Sequence, residues 1–363
     1  MTPPRIGFRV LASEDSGDRA LWLTLWNAWP RREVFAHPAY VELFARPSAV
    51  RSRAAVYSDE RVTVIYPFLL RDLAPESWCP PSFAPATDIT TAYGYGGPFM
   101  FGDEKDCPFW HHFNDWASDQ GVVSEFIRRS LFTGELLTYP GSTEERMSNI
   151  VRPLDRSLAD IWMDFEHKVR KNVQKAQRAG VEIQFDSTGQ RCDEFMRIYS
   201  DTMVRREARQ SYNFGRDFFA KLQSGLSGHY TYVHAVADGA VISTELVLVS
   251  AQRVYSFLGG TDSSKYDLRP NDLLKFEIIR WAHGLGKECF VLGGGYGADD
   301  GIFRYKRSFA PTGTTAFSVG YRVLRAQAYD GLVAARLAGL RKNVSDVAAS
   351  GYFPAYRAPS DGL

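Results

Sequence analysis

Apolar residues recur along this chain in two rhythms. Steps of three and four mark helices; steps of two, or short unbroken apolar runs, mark strands. In the first half the helical rhythm shows in "RALWLTLWNAW", "PAYVELFA" and "CPFWHHFNDWASDQG". Strand-like runs lie among them: "SRAAVYS" and "RVTVIYPFLLRD", joined by the turn signal Ser58-Asp59-Glu60, and later "VVSEFIRRSLF". Residues 74–102, rich in Pro, Thr and Gly, are predicted as loop. The second half repeats the theme with a long helix, a further helix, paired strands "YTYVHAVAD" and "GAVISTELVLVS", then "RVYSFLGG", "PNDLLKFEIIRWAHGLG" and "ECFVLGGG". Two similar series of helices and strands predict a mixed α/β fold of two tandem domains. "RPLDRS" supplies a Pro and a polar helix start, which places one domain over 1–154 and the next over 155–330, with a helical tail over 331–363.

The chain has 363 residues, room for two ordinary cores, and its 45% hydrophobic and 23% charged composition is that of a soluble globular protein. A net charge of +1 excludes a polyanion binder built on overall charge and leaves only local basic patches to consider. Cys79, Cys107, Cys192 and Cys289 lie far apart without metal-type or CxxC spacing, and read as reduced thiols of a cytoplasmic protein. The start "MTPPRIGFRVLASEDSGD" lacks the basic-then-apolar form of a signal peptide, and no eighteen-residue apolar run predicts a membrane span.

The most legible helix is "SLADIWMDFEHKVRKNVQKAQRAG". Ser157 followed by Asp160 is a capping signal and Gly180 a stop, so one helix is predicted between them. Ile161, Phe165, Val169, Val173 and Ala176 form its buried stripe. Lys168, Lys171, Lys175 and Arg178 line another face, with few acids beside them. That face reads either as a solvated surface or as a rail for phosphates, and periodicity does not choose between them.

Residues 290–311, "FVLGGGYGADDGIFRYKRSFAP", pose the chemical question. A phosphate-binding P-loop needs its lysine directly after the last glycine and before Ser or Thr; here Lys306 is five residues past Gly301 and precedes Arg307. A dinucleotide fingerprint lacks its acidic partner downstream. Asp299 and Asp300 have no third ligand nearby, so no metal is predicted, and Asp300 reads as a helix N-cap. What remains is a strand, a glycine turn and a short helix presenting Arg304, Tyr305, Lys306 and Arg307. A lysine packed by Phe303, Tyr305 and Phe309 is partly desolvated, where its charge acts strongly on a developing oxyanion. No GxSxG elbow or cysteine acylation signature is present, which favours direct attack over an acyl-enzyme. His111 and His112, among Phe109, Trp110 and Phe113, read as structural. The loop around Tyr93 and Tyr95 suits the lining of a cleft or plain loop duty, and strand alternation aims one of Arg128 and Arg129 inward.

"KVRKNVQKAQRAGVEI", "FMRIYSDTMVRREARQSYNFGRDFFAKL", "GAVISTELVLV", "VYSFLGG", "LRPNDLLKFEIIRWAHGLG" and "DDGIFRYKRSFAP" occur in an order and spacing that resembles the Fem-type peptidoglycan-bridge aminoacyltransferases and their GNAT-like relatives. The likeness covers residues 155–325 well and reaches the first half through "YPFLLRD", "DITTAYGYGGPF" and "EFIRRSLF". It implies two tandem GNAT-like domains with a cleft between them and an amine attacking an activated acyl group. Lys306 matches the family lysine that stabilises the tetrahedral intermediate, Tyr305 stands at the aromatic position before it, and Arg205 matches a basic position facing the cleft. Arg304, Tyr93, Tyr95, Arg128 and Tyr212 complete the expected substrate-binding set, with Lys168, Lys171, Lys175 and Arg178 on an anionic donor.

Three departures matter. No segment is long enough for the coiled-coil hairpin of many tRNA-recruiting members; Ser130-Leu131 stands where many have Asp-Pro; and "GGTDSSKYDLRPND" places Lys265, Tyr266, Leu268 and Arg269 where a coenzyme A site wants bare backbone. Shorter family members lack the hairpin, and the altered coenzyme A loop favours a different donor, so the expected donor is aminoacyl-tRNA and the acceptor a small or cell-wall-precursor amine. The alternative is an acyl-CoA-dependent N-acyltransferase acting on a sugar nucleotide or polysaccharide precursor. A third class is an RNA- or glycan-binding relative without turnover. No cofactor beyond the donor and no DNA partner is expected.

Overall fold

The computed structural model of the chain describes residues 4–46, 48–208, 212–297, 299–340 and 351–359. By internal contacts the chain divides into unit 1 (Met1–Trp29, Phe35–Arg146 and Phe317–Leu363) and unit 2 (Pro30–Val34 and Met147–Ala316). The sequence placed the junction at 154/155; the contact division falls eight residues earlier, and the segment after 316 groups with unit 1.

Along the chain run β1 (Gly7–Ala12), α1 (Ser16–Ala28), α2 (Pro38–Glu42), β2 (Val50–Ser58), β3 (Val62–Asp72), β4 (Thr87–Thr90), β5 (Phe99–Gly102), α3 (Phe109–Asp119) and β6 (Val122–Arg128). Then follow β7 (Ser142–Pro153), α4 (Leu158–Asp164), α5 (His167–Arg178), β8 (Glu182–Asp186), α6 (Cys192–Arg205), α7 (Arg216–Gly225), β9 (Tyr230–Ala237), β10 (Ala240–Val249) and β11 (Arg253–Thr261). The last are α8 (Pro270–Gly284), β12 (Cys289–Gly293), α9 (Gly301–Arg307), β13 (Thr314–Val323) and α10 (Ala326–Leu340).

Unit 1 orders its strands β1-β2-β3-β4-β6-β13, with β5 also on β3, and only β4 and β6 run parallel. Unit 2 orders them β7-β12-β11-β10-β9-β8, with β11 and β12 the parallel pair. Asp238 and Gly239, both at positive φ, make the tight turn between β9 and β10, the geometry that suits the twist of two adjacent strands. Asp15 caps α1 by accepting from the Asp18 amide.

The long helix predicted between Ser157 and Gly180 is two helices. Ser157 caps the first as expected, but the backbone turns extended at Phe165 and Glu166 before α5 begins. The break lets Phe165 sink into the core against Phe309, ring centroids 5.5 Å apart, while the Glu166 amide donates to the Ser308 carbonyl at 3.0 Å. Burying an aromatic ring outweighs a turn of helix hydrogen bonds whose donors find other partners. Ile161, Phe165, Val169, Val173 and Ala176 are all buried in the unit 2 core with Ile278, Ile279, Phe290 and Leu292.

Candidate active site at a strand fork

Strands β11 and β12 hold together over only three rungs, Arg253–Tyr255 against Cys289–Val291. Past Tyr255, β11 continues as far as Thr261, and its pairing with β10 is interrupted by a bulge between Leu246 and Val247 of that strand. A bulge re-aims side chains and sharpens twist. On the other side β12 ends at Gly293, itself at positive φ (82°). The two parallel strands therefore part, leaving a fork in the middle of the sheet.

Two lysines sit on its two arms. Lys275, from α8, is 7% exposed and donates from Nζ to both carboxylate oxygens of buried Glu245 on β10 at 2.5 Å and to Ser256 Oγ on β11 at 3.0 Å. Ser256 is the first residue beyond the last rung. Lys306, from α9, donates from Nζ to the Gly294 carbonyl, the first residue beyond β12, at 2.6 Å. It is half-buried. Burial first, then the nearby Lys275 charge, push its pKa down to about 8, while Glu245 and Asp300 pull the other way.

The glycine run before α9 has local reasons. Asp300 caps the helix, its carboxylate accepting from the amides of Phe303 (2.7 Å), Tyr296 (2.6 Å) and Gly297 (3.2 Å). A Cβ on Gly295 would collide with that carboxylate, and one on Gly294 would lie 2.9 Å from the Ser148 carbonyl. The glycines thus let the loop fold over its own cap and present the Gly294 oxygen to Lys306. The expected N-cap role of Asp300 is what the geometry contains.

Tyr305 packs on Phe309 (5.3 Å between centroids), and its hydroxyl is buried without a hydrogen-bond partner. Burial, Asp272 and Glu245 push its pKa well up, so the phenol stays protonated. Arg304 is turned to the loop: it donates to the Asp299 carbonyl and lies 3.8 Å from the Asp299 carboxylate, which Arg307 approaches at 3.5 Å. Arg205 is exposed at the end of α6, donates to the Thr261 carbonyl at the far end of β11 (3.1 Å) and stacks over Tyr266 at 5.7 Å. Tyr212 accepts at its carbonyl from Tyr199 Oη (2.5 Å) and lies near Tyr296.

Lys168, Lys171, Lys175 and Arg178 are all exposed along α5. Lys168 lies toward Asp272, a buried carboxylate held by Asn172 at 3.1 Å. The loop flagged at Lys265, Tyr266, Leu268 and Arg269 is a tight 3-10 turn over Ser263–Leu268 capped by Asp262, with Arg269 at positive φ leading into α8. Asn271 then accepts from Ser243 and Thr261, each at 2.6 Å.

Tyr93, Tyr95 and Arg128 gather in unit 1. Tyr40 Oη donates to the Tyr93 carbonyl at 2.6 Å; the Tyr95 ring meets Phe35 and Phe317 edge-on; Arg128 donates to the Thr91 carbonyl at 3.1 Å and covers Phe126. Burial raises the Tyr95 phenol above its ordinary value.

The structure brings Lys306, Tyr305, Glu245 and Lys275 to one fork, of which the sequence flagged only the first two. The missed signals were a glutamate in the mostly apolar, fully buried strand run "VISTELVL" and a lysine within the apolar face of α8. Among the described residues no group of three His, Cys, Asp or Glu side chains forms a metal-holding cluster, and no helix is long and apolar enough to cross a membrane.

Residues 163–307 match the family model described as an acetyltransferase (GNAT) domain, a span that contains both arms of the fork. No curated protein matches the chain. Among solved structures the fold is similar to that of FemX, 12% identical over 86% of this chain and 97% of that one, with a TM-score of 0.63. It is also similar to L-PGS from Bacillus licheniformis (12% identity, 92% and 99% covered, TM-score 0.56). A conserved protein of unknown function from Bacteroides thetaiotaomicron follows (10% identity, 74% and 86% covered, TM-score 0.51). The fold is mixed α/β in two units, similar to that of FemX, and the GNAT domain match lies within unit 2.

Proposed function

We propose, on the premise that the chain is a GNAT-type acyltransferase with a Fem-type fold, that it moves an aminoacyl group from an activated ester to the amine of a small or cell-wall-precursor acceptor. The donor is aminoacyl-tRNA. The amine attacks the ester carbonyl directly, the carbonyl becomes tetrahedral, and the Lys306 ammonium meets the negative charge that forms on oxygen. Holding donor and acceptor together supplies much of the remaining rate. The observation that carries this reading is the placement of Lys306: half-buried on one arm of the fork, its ammonium tethered by the Gly294 carbonyl rather than by a carboxylate.

The donor assignment rests on two features. The exposed cations Lys168, Lys171, Lys175 and Arg178 fit a polyanionic carrier. By the family resemblance, the turn at Ser263–Leu268 corresponds to the loop whose backbone amides would hold a pyrophosphate, and its side chains argue against that use. One observation favours a second reading, an acyl-CoA-dependent N-acyltransferase working on a sugar nucleotide or polysaccharide precursor: the matched domain is of acetyltransferase type. Incubation with charged tRNA and, separately, with acetyl-CoA, followed by mass analysis of an amine acceptor, separates the two. Product from acetyl-CoA alone would remove tRNA from the scheme. In either case Lys306→Met tests the site, and undiminished turnover would exclude Lys306 from it.

A further inference from the structure

Resting on that reading of Lys306, we infer that Glu245 and Lys275 form the positioning pair of the site: the Lys275 ammonium, locked across the fork, works together with burial to set the charge that Lys306 carries, so that Lys306 meets the incoming acceptor as an amine and the reacting carbonyl as an ammonium.

The geometry carries the argument. An ion pair buried in the middle of a sheet is costly unless each charge is fully met, and apolar residues would often serve stability as well or better. Here the pair is fully met on one side only. Lys275 spends its three donors on Glu245 Oε1, Glu245 Oε2 and Ser256 Oγ, while the carboxylate accepts from nothing else among the described hydrogen bonds. The ammonium also lies 5.4 Å from the centroid of the Phe290 ring, on the strand that forms the opposite arm. Its charge is therefore fixed between the arms. The groups facing Lys306 are Lys275 from α8, Glu245 from β10, Asp300 at the start of its own helix, and the Gly294 carbonyl. Arg304 and Arg307 are drawn aside by Asp299. Lys275 is thus the cation that can oppose a second positive charge in the fork.

The chemistry gives such a device a task. An acceptor amine reaches the site as an ammonium and must lose a proton before attack. In the amine form Lys306 takes that proton. The acceptor nitrogen then bonds to the donor carbonyl carbon, the carbonyl π pair moves to oxygen, and Lys306, now an ammonium, faces the oxyanion. On collapse the carbon–oxygen bond of the donor ester breaks, and the leaving oxygen takes the second proton of the attacking nitrogen. Amide and free hydroxyl result, and Lys306 returns its proton to solvent.

The test reads the charge on Lys306 itself, using the full chain and a small acylating probe, acetic anhydride. Modification of Lys306 is followed by peptide mass spectrometry across pH, with exposed Lys168 as reference. The wild-type midpoint is expected near 8. In Glu245→Gln/Lys275→Met it should rise, the loss of the Lys275 charge being only partly offset by the loss of Glu245; Lys275→Arg, which keeps the cation, should retain the wild-type midpoint. If the neutral pair does not fold, Glu245→Leu/Lys275→Met replaces it, since apolar substitution of a whole buried pair is tolerated better than loss of one partner. An unmoved midpoint in a folded neutral variant overturns the inference while leaving the Lys306 reading intact. Equal movement in Lys275→Arg would assign the effect to repacking and overturn it as well. Full turnover by Lys306→Met would sink the inference together with the reading beneath it.

Discussion

Each unit contains one parallel strand pair, and the two pairs are finished differently. In unit 1, β4 and β6 pair from Thr87 to Thr90, and the ladder continues beyond the strand ends. Thr91 N donates to Phe126 O, Gly96 N to Arg128 O at 2.7 Å, and Ser130 N to Gly96 O at 2.8 Å, so the chain itself bridges the gap. On β4, Asp88 is fully buried and held by Arg71 and Arg357, each at 2.5 Å. In unit 2 the corresponding ladder stops after three rungs and the opening holds two lysines. The lesson is that one topology yields a sealed structural seam or an open reactive fork. What decides is whether backbone groups past the last rung find each other or are met by side chains.

The largest effect should follow from removing the cation at the open fork. Lys306→Met is expected to lower kcat by roughly a hundredfold or more, the scale of losing one oxyanion partner. Its unfolding midpoint should not fall below that of the wild type, since the lost ammonium was held at a cost. A comparable loss on mutating the sealed seam of unit 1, in protein shown to be folded, would break the contrast.

The seam should respond in the opposite currency. Arg357→Met strips one of two cations from the buried Asp88 carboxylate and also frees Glu76. A loss of about 2–3 kcal/mol in denaturant unfolding is expected, with turnover per folded molecule unchanged. Stability intact with kcat reduced would mean that the closed pair also carries chemistry.

Much of this contrast was legible in the sequence only in outline. The strongly periodic elements emerged, including β2, β3, α3, β9, β10, β11 and α8. β1, β4, β5, β7, β8 and β13 did not, because strands such as "STEERMSNIVRP" are half polar and largely exposed along their first residues. The hinge at Phe165 was hidden because its apolar spacing is the same on a straight helix and a broken one. Lys306 was found through its glycine turn and aromatic neighbours. Its electrostatic partner was not, since an isolated lysine on a helix defaults to a solvated side chain and only the fold shows that Lys275 points inward at Glu245. Whether two parallel strands stay paired past their third rung has no periodic signature at all.

A smaller effect is readable as a pH dependence of stability. Lys306 binds its proton less tightly in the folded chain, with a value of about 8. Between that pH and the ordinary lysine value the unfolded chain therefore binds more protons, and stability rises with pH across the window. The part due to Lys306 should amount to about 1–2 kcal/mol, reduced from the full linkage because the side chain keeps partial contact with solvent. It should be read as the difference between wild type and Lys306→Met in denaturation from pH 7 to 10.5. Parallel curves for the two proteins would show that the fork does not hold the ammonium at a cost.

The smallest single effects belong to α5, and they sharpen the contrast from outside the fork. Its exposed cations have no structural task that the core requires, since Val169, Val173 and Ala176 on the opposite face do the packing. Lys171→Gln and Lys175→Gln should leave unfolding unchanged within about 0.5 kcal/mol. Each should weaken tRNA binding a few-fold at low salt and make the slope of log affinity against log salt shallower by about 0.7–0.9, one released counterion per lost cation. The exposed Lys105 of unit 1 serves as control: its removal should leave that slope untouched if the polyanion rests on unit 2 alone. Equal slopes for all three variants would return the α5 stripe to an ordinary solvated face. The donor would then have to be held by the fork without help from a phosphate rail, a demand that a small thioester meets more readily than a nucleic acid.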